Sequence, residues 1–282
     1  MKITETIHAL KHHFRLALGE NQYADRFVYS YILLGEKICL IDAGVRVTAP
    51  LLQDYLRQLS RSPSGISIVL LTHAHPDHIG GCLAIKNTSS ALFCAHSAEK
   101  PWIEDVEKQY RERPILNFFE LVGGPVRVTR ELKEGNTVLW EKGKTIRVLE
   151  TPGHSLGSIS LFFEEEGGLF TGDAIPAPGT IPIYVDPEIS IRSIQKLKSV
   201  SGIRHLFSSW HEPISGNSIT TAMDEGIRYI EKIDEIVTDL IKTMPPETTG
   251  EELSIRALER LGIKTSKVLP MVRTSFESHR KK

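Results

Sequence analysis

The sequence is poor in cysteine, nearly neutral in charge and without a long hydrophobic run. Its three cysteines (Cys39, Cys82 and Cys94) have no CxxC spacing and lie in apolar stretches, which predicts reduced core thiols in a cytoplasmic protein. The formal net charge of −1 provides no field that would draw the protein to nucleic acid or an anionic membrane. No segment has the length of a membrane span or the apolar core of a signal peptide, so no membrane partner is expected.

The remaining composition is that of an ordinary globular protein. Hydrophobic residues make up 40% of the chain and charged residues 24%. A chain of 282 residues can bury a large core, and its length permits one large domain or two smaller ones. Short apolar strand patterns alternate with helical periodicity through most of the chain, which predicts an α/β fold.

Residues 66–81, ISIVLLTHAHPDHIGG, carry the densest group of potential metal ligands. The apolar start predicts a buried strand, and four ligands follow it within six residues: His73, His75, Asp77 and His78. Alternate residues of extended backbone point the same way, so the first two imidazoles are expected to project together. Pro76 can begin the helix that follows, and the glycine pair at 80–81 allows close backbone packing behind the turn. Imidazole and carboxylate ligands suit zinc, manganese or iron.

Each of these residues, taken alone, has an ordinary structural explanation. A single histidine is most often a surface residue or a hydrogen-bonded core residue, and aspartate at a strand-to-helix turn is often an N-cap. Four such side chains together are harder to explain in this way, because burying unpaired polar groups side by side is costly. The cluster therefore favours a metal site.

Further polar residues occur in the same setting, just beyond the end of a predicted strand. His154 lies in the turn TPGHS, Asp173 in the sequence TGD, and His211 in Ser-Trp-His-Glu-Pro. Asp42 ends the second strand of a predicted hairpin, in an Asp-x-Gly turn. Strands that end at one edge of packed sheets bring such residues into one cleft. The other histidines lack this setting and are expected to be surface or structural residues: His8, His12, His13, His96, His205 and His279.

Together the HxHxDH sequence at 73–78, TPGHS, TGD and the last histidine resemble the metallo-β-lactamase superfamily of metal hydrolases. The resemblance covers residues from about 30 to 213 and implies a four-layered αββα sandwich. It also implies two metal ions, expected to be zinc, with iron or manganese as alternatives. By this resemblance His73, His75 and His154 hold the first ion, Asp77, His78 and His211 hold the second, and Asp173 bridges both. Asp42 matches a family aspartate that supports a metal-bound histidine.

This ligand set implies hydrolysis by a metal-bound hydroxide. Two metal ions in one site can share a water and lower its pKa, and the resulting hydroxide can attack a carbonyl carbon or a phosphorus atom. Asp77 is the expected catalytic residue, because its free oxygen can orient the nucleophile and later pass a proton to the leaving group. No serine or cysteine nucleophile is needed.

Departures from subgroup patterns narrow the substrate class. Asp173 stands where many true β-lactamases of the superfamily have cysteine, and His75 where the flavin-dependent diiron oxygen reductases have glutamate. Pro176 stands where quorum-signal lactonases have tyrosine. The hydroxyacylglutathione hydrolases share THxHxDHxGG and TPGHS, but have GHEYT around the last histidine. A small ester or thioester is therefore the leading expectation, with Tyr184 and Trp210 either shaping its pocket or packing in the core.

The C-terminal part changes to helical patterning, which suggests residues 1–216 as the catalytic domain and residues 217–282 as a helical extension. An apolar stripe at helical spacing runs from Ile219 to Met244. Thr249 and Glu252 fit a capping box that opens a second helix, and Gly262 fits its end. The stripe is expected to dock on the sandwich, with a substrate lid or a homodimer contact as alternatives.

Two other functions stay open. The tail is basic, and if it binds RNA the chain would resemble the endoribonucleases and phosphodiesterases of the superfamily, although its neutral overall charge weighs against this. The basic residues are Lys264, Lys267, Arg273, Arg280, Lys281 and Lys282. A mononuclear-iron redox enzyme or a non-hydrolytic binder of the same fold is the other alternative, which the complete ligand set disfavours.

Overall fold

The computed structural model describes residues 1–265 and 268–281 and contains two six-stranded sheets. The first sheet consists, in spatial order, of β1 (Ile7–Gly19), β2 (Gln22–Leu34), β3 (Ile38–Ile41), β4 (Ile66–Leu70), β5 (Leu92–His96) and β6 (Arg130–Leu132). The second consists of β7 (Thr137–Glu141), β8 (Lys144–Glu150), β9 (Ile159–Phe163), β10 (Gly168–Gly172), β11 (His205–Ser208) and β12 (Ile214–Ser215). The predicted hairpin is present as the antiparallel pair β2–β3.

Helices cover the outer face of each sheet. Those on the first sheet are α1 (Ala49–Gln58), α2 (Pro76–Ile79), α3 (Cys82–Thr88), α4 (Lys100–Glu104), α5 (Val106–Glu112) and α6 (Phe118–Leu121). Those on the second are α7 (Pro187–Lys198), α8 (Ser218–Thr243), α9 (Gly250–Arg260) and α10 (Pro270–Ser278). The expected αββα sandwich is confirmed.

The core consists of three buried clusters, one between the sheets and one under each helical layer. Alternation along β2 shows how the sequence builds them, because Ile32 faces the helices while Tyr31 and Leu33 face the second sheet. The three cysteines are buried and unbonded, as predicted for core thiols. Among the helices of residues 1–265 and 268–281, none combines the length and the apolar composition of a membrane span.

Strand directions bring the ends of several strands to one edge of the sandwich. β3, β4 and β5 run parallel to one another, so all three end at the same edge of the first sheet. In the second sheet β10 is parallel to β11, and β8 has the same direction because both β8 and β10 are antiparallel to β9. The sheets meet at this edge, where the backbone N–H of Ile159 donates to the carbonyl of Thr72 at 2.9 Å. Polar residues that follow these strands therefore converge.

The C-terminal helices form part of the outer layer of the second sheet. The apolar stripe of α8 is buried together with residues of β8–β11, which confirms the docked alternative over an exposed lid. The hydroxyl of Thr249 caps α9 by accepting from the N–H of Glu252, as predicted. The sequence did not predict α10, where only a basic tail was expected. Lys267 and Lys282 of that tail lie outside the described residues, and the domain boundary at residue 216 stays a prediction.

Candidate metal centre

The backbone around His75 has the conformation that the sequence predicts. His75 has extended backbone and is the N-cap of α2, which begins at Pro76, and the N–H of His78 donates to the carbonyl of His75 at 2.9 Å. The glycine pair behind the turn is required by close backbone contacts, because a methyl group on Gly80 would collide with the carbonyl oxygen of Leu121. Gly81 is similarly close to the carbonyl of Ala43.

Four of the predicted ligands form a compact buried group. One ligand atom from each of His73, His75, His154 and Asp173 lies within 4.8 Å of the others. The His73 and His75 rings are 4.4 Å apart between centroids, and the His154 ring is 4.6 Å from that of His75. Nε2 of His154 and Nδ1 of His75 face each other at 2.8 Å. The fold thus joins residues from three separate turns in one site.

The second predicted ligand set is adjacent to the first. Nε2 of His78 lies 3.2 Å from Oδ1 of Asp173, so the aspartate stands between the two groups of histidines, as a bridging ligand would. The other carboxylate oxygen of Asp173 is 3.4 Å from Nε2 of His154. Asp77 is less close, with Oδ2 3.9 Å from Nε2 of His78.

His211 is the one predicted ligand whose contact with the others the structure does not show. Its Nδ1 pairs with the carbonyl of Glu212 at 3.0 Å, while its Nε2 is buried without a hydrogen-bond partner. Across residues 1–265 and 268–281, no hydrogen bond, ion pair or ring contact links it to the other six ligands. Its role in binding the second metal stays a prediction.

Buried polar atoms without partners show that the residues fit a metal. Nε2 of His73, Nε2 of His78 and Oδ1 of Asp173 are buried and have no hydrogen-bond partner. Leaving such groups unsatisfied costs about 1–3 kcal/mol each, and a bound cation removes that cost. The donor set, imidazole and carboxylate without thiolate, suits zinc, iron or manganese.

Burial also favours the protonation state that metal binding requires. It lowers the pKa of His73 and His75 well below the usual value and that of His154 to about 4, so these rings are neutral near pH 7. Neutral imidazole is the form that donates an electron pair to a metal. Because Nδ1 of His154 donates its proton to the carbonyl of Ile183 at 2.7 Å, its Nε2 carries no proton and could bind a metal in place of its contact with His75.

The surroundings shift the pKa values of Asp77 and Asp173 in opposite directions. Burial raises the pKa of Asp77, and the opposing attraction of His78 does not offset it. Burial would also raise the pKa of Asp173, but the positive charge of His78, 3.2 Å away, is the largest opposing influence and holds it well below its usual range. Asp173 is therefore ionised, as a bridging ligand must be.

Asp42 supports the site through three hydrogen bonds, in agreement with its predicted role. Its Oδ2 accepts from Nδ1 of His78 at 2.8 Å and from the hydroxyl of Thr72 at 2.8 Å, while Oδ1 accepts from the N–H of Thr72. The first bond orients the ring so that Nε2 of His78 faces Asp173. Burial would lower the pKa of His78, but the charges of Asp173, Asp42 and Asp77 raise it well above its usual value, so a metal bound at Nε2 would displace a proton. Asp42 has φ +57°, a conformation that aspartate tolerates better than most residues.

Two residues that hold the ligand turns were missed by the sequence analysis. The buried carboxylate of Glu99 accepts from the N–H of Ala74 and of Gly157, both at 2.8 Å, and from the hydroxyl of Ser155 at 2.7 Å. Gln109 donates to the carbonyl of Ala74. Glu99 thus connects the turn bearing His73 and His75 to the turn bearing His154. Neither residue stands out in sequence, because both belong to a polar helical stretch that resembles a solvated surface.

Arg113 brings a positive charge close to the site. It follows α5 one turn after Gln109, and its Nη2 lies 3.3 Å from the sulfur of Met271 on α10. Burial lowers its pKa to about 10, against the opposing attraction of Asp77, Glu99 and Asp173. No carboxylate of the described residues lies within 4.0 Å of its guanidinium, so no ion pair occupies it.

The two aromatic residues considered for a substrate pocket have different surroundings. Tyr184 is 2% exposed and packs against His279, which directly follows α10, and this favours the packing alternative. Trp210 is half-buried, and its ring lies 6.4 Å from that of Phe27. The structure therefore gives Tyr184 a role in the core.

Comparison with known proteins agrees with this geometry. The family model "Metallo-beta-lactamase superfamily" matches residues 23–231. A "Beta-lactamase-like protein 2 homolog" of Caenorhabditis elegans is 26% identical over 214 residues, which are 76% of this chain but only 65% of that protein. A "Hydroxyacylglutathione hydrolase" of Chelativorans sp. is 27% identical over 216 residues, 74% of each chain. An "Acyl-coenzyme A thioesterase" of Gallus gallus is 32% identical over 154 residues, 48% of this chain and 53% of that protein.

Solved structures show the same fold over nearly the whole chain. A metallo-beta-lactamase family protein from Thermus thermophilus superposes with a TM-score of 0.70 at 22% identity, covering 95% of this chain and 91% of the other. A beta-lactamase domain protein from Burkholderia ambifaria has a TM-score of 0.68 at 16% identity and covers 99% of this chain and 86% of the other. With a family model that spans most of its length and a buried His/Asp cluster, the chain belongs to the metallo-β-lactamase superfamily of metal-dependent hydrolases.

Proposed function

We propose that the protein is a dinuclear metal hydrolase, with zinc as the metal, that cleaves a small anionic thioester or ester. The observation that carries this proposal is the position of Asp173 between two groups of buried imidazoles, with His154 on one side and His78 on the other. The names of relatives support the thioester class, since one is an acyl-coenzyme A thioesterase and another a hydroxyacylglutathione hydrolase.

The residues divide the chemical tasks among them. His73, His75 and His154 would hold the first metal, Asp77, His78 and His211 the second, and Asp173 would bridge the two. When bound, the metals would supply a water of lowered pKa and polarise the carbonyl oxygen of the substrate. Asp77 would orient that water and hold the proton destined for the leaving group, since a metal-bound carboxylate keeps one oxygen free. Asp42 and Glu99 would keep the ligands in place.

Metal analysis combined with hydrolysis assays tests this proposal. We expect the purified protein to contain about two equivalents of zinc per chain and to hydrolyse a thioester faster than a lactone or bis(p-nitrophenyl) phosphate. The His73→Ala variant should lose both metal and activity. His13→Ala, which changes an exposed histidine outside the cluster, is the matched control and should retain both.

Other outcomes would redirect the proposal. A preference for the phosphodiester would favour the nuclease alternative, and one iron without hydrolysis would favour a redox enzyme. Absence of bound metal from the wild-type protein would refute the site.

Arg113 supports the anionic substrate class. Its guanidinium is partly buried, and no carboxylate of the described residues lies in ion-pair range of it. One helical turn before Arg113, Gln109 of α5 contacts the turn that carries His73 and His75.

Arg113 also contacts Met271, which packs against both outer core clusters. These two clusters lie on opposite faces of the sandwich, so their shared contact lies at an edge, and the attraction that Asp77 and Asp173 exert on Arg113 indicates the edge with the predicted ligands. We propose that Arg113 binds an anionic group of the substrate there.

Replacing Arg113 with a neutral residue should change which substrates the protein prefers. We expect Arg113→Met to raise KM for a thioester with a carboxylate by about 10-fold, since a hydrogen bond to a charged group contributes about 1.5–3 kcal/mol. KM for a neutral thioester should be unchanged. Arg111→Met is the matched control, because Arg111 is the exposed arginine two residues away. An equal rise in KM for both substrates would contradict the proposed role.

A further inference from the structure

A hydrogen-bonded network at the C-terminus holds the loop before α7, and we name its members, Tyr184, Asp234, Ser275 and His279, the C-terminal clamp. The N–H of Tyr184 donates to the hydroxyl oxygen of Ser275 at 2.9 Å. The hydroxyl of Tyr184 lies 2.9 Å from Nε2 of His279, whose Nδ1 lies 2.7 Å from a carboxylate oxygen of Asp234. Tyr184, Ser275 and His279 are almost completely buried.

The network has a defined direction. In a neutral imidazole, Nδ1 of His279 donates to the carboxylate of Asp234, which leaves Nε2 to accept from the hydroxyl of Tyr184. Burial raises the pKa of Tyr184 well above its usual value, which keeps that hydroxyl protonated and able to donate. The loop is thereby attached to both α8 and α10.

The same loop contacts a predicted metal ligand. The carbonyl of Ile183, the residue before Tyr184, accepts from Nδ1 of His154 at 2.7 Å. The N–H of Val185 donates to the carbonyl of Gly153 at 2.7 Å, next to that ligand. Residues 183–185 therefore connect the His154 turn to α10 and to the other members of the clamp.

This stretch of loop has no regular secondary structure of its own. The position of the Ile183 carbonyl consequently depends on the contacts that its neighbours make. Tyr184 makes two such contacts with α10 and the segment that follows it, one through its backbone and one through its side chain. A displacement of Tyr184 would move the hydrogen-bond acceptor that sets the ring orientation and tautomer of His154.

We propose that Ser275, His279 and Tyr184 are positioning residues for the metal site, which act through the Ile183 carbonyl on His154. The C-terminal helices thus have a functional role in addition to packing, although the chain enters them after the last predicted ligand. The proposal rests on the assignment of His154 as a metal ligand under the proposed function.

Metal affinity is the measurement that separates positioning from general stability. We expect His279→Ala to lower the affinity for zinc by about 10-fold, the lower end of the effect of changing a group that orients a ligand. Ser275→Ala, a milder change, should lower it in the same direction. His279→Gln should restore part of the loss, because an amide can both accept from Tyr184 and donate to Asp234.

The chain offers a control in another histidine–tyrosine pair, which joins the buried His8 to the partly buried Tyr55. Nδ1 of His8 lies 2.8 Å from the hydroxyl of Tyr55. Their rings pack edge to face with centroids 5.8 Å apart, compared with 5.7 Å for Tyr184 and His279. His8→Ala should lower the thermal midpoint of unfolding by a similar amount and leave zinc affinity unchanged. Zinc affinity is measured for each variant by competition with a chromophoric chelator, below its unfolding temperature.

The outcomes distinguish this proposal from the proposed function. If wild-type protein binds zinc and the clamp variants bind it equally well, the clamp proposal is wrong and the hydrolase proposal stands. An equal loss of affinity in His8→Ala would also overturn it, since the effect would then be one of stability. Failure of the wild-type protein to bind zinc would refute the proposed function itself.

Discussion

Replacing Asp173 with alanine is expected to abolish hydrolysis, with kcat/KM lowered by about 10³-fold or more, which corresponds to about 4 kcal/mol of transition-state stabilisation. The reason is its position, 3.2 Å from Nε2 of His78 and 3.4 Å from Nε2 of His154, where no other carboxylate of the described residues joins the two groups. Zinc content should fall below two equivalents. Elemental analysis and a thioester assay on the same preparation would measure both effects.

Two further variants make this result interpretable. Asp173→Asn keeps the shape of the side chain but removes its charge, so it should fold normally and still lose metal and activity. Asp54→Ala removes an exposed aspartate that pairs with Arg57 on the surface of α1 and should behave as wild type. Full activity in Asp173→Asn would show that no bridging carboxylate is needed and would contradict the dinuclear site.

The second large effect is expected from Asp42→Ala. Three buried donors would lose their acceptor: Nδ1 of His78 and the N–H and hydroxyl of Thr72. Each unsatisfied group lowers the free energy of unfolding by about 1–3 kcal/mol. We expect a loss of stability of about 3 kcal/mol and a decrease in zinc affinity of about 10- to 100-fold, the effect of losing a carboxylate behind a ligating histidine. Chemical unfolding and chelator competition would measure the two.

Backbone strain must be separated from the loss of the carboxylate. Asp42 has φ +57°, and alanine pays about 1–2 kcal/mol for this left-handed conformation. Asn21 has nearly the same φ, +56°, in the exposed turn between β1 and β2, so Asn21→Ala measures the strain alone. If Asp42→Ala costs no more stability than Asn21→Ala and binds zinc normally, Asp42 does not support the site.

Much of the fold follows from local sequence signals that the structure confirms. Apolar runs predicted the central strand, Pro76 predicted the start of α2, and Thr249 predicted the cap of α9. These signals work because a strand, a helix start and a cap each depend on residues only a few positions apart. The helix α10 was missed, since its basic and polar residues resemble a solvated tail while Val272 and Phe276 provide its buried contacts.

The candidate site likewise depends partly on local sequence and partly on tertiary structure. The sequence by itself determined the ligand types and their local arrangement, because His73, His75, Asp77 and His78 lie within one turn. Only the tertiary structure decided that His154 and Asp173 join them, since this depends on strand direction in a second sheet.

Apart from Asp42, which the family resemblance had indicated, the supporting residues were visible only in the folded chain. Glu99 and the C-terminal clamp act through single hydrogen bonds across 25 to 95 positions of sequence. Such contacts leave no periodicity and no local motif, because their partners are set by how the layers pack. The sequence therefore determined the chemistry of the ligands, and the tertiary structure decided which side chains hold those ligands in place.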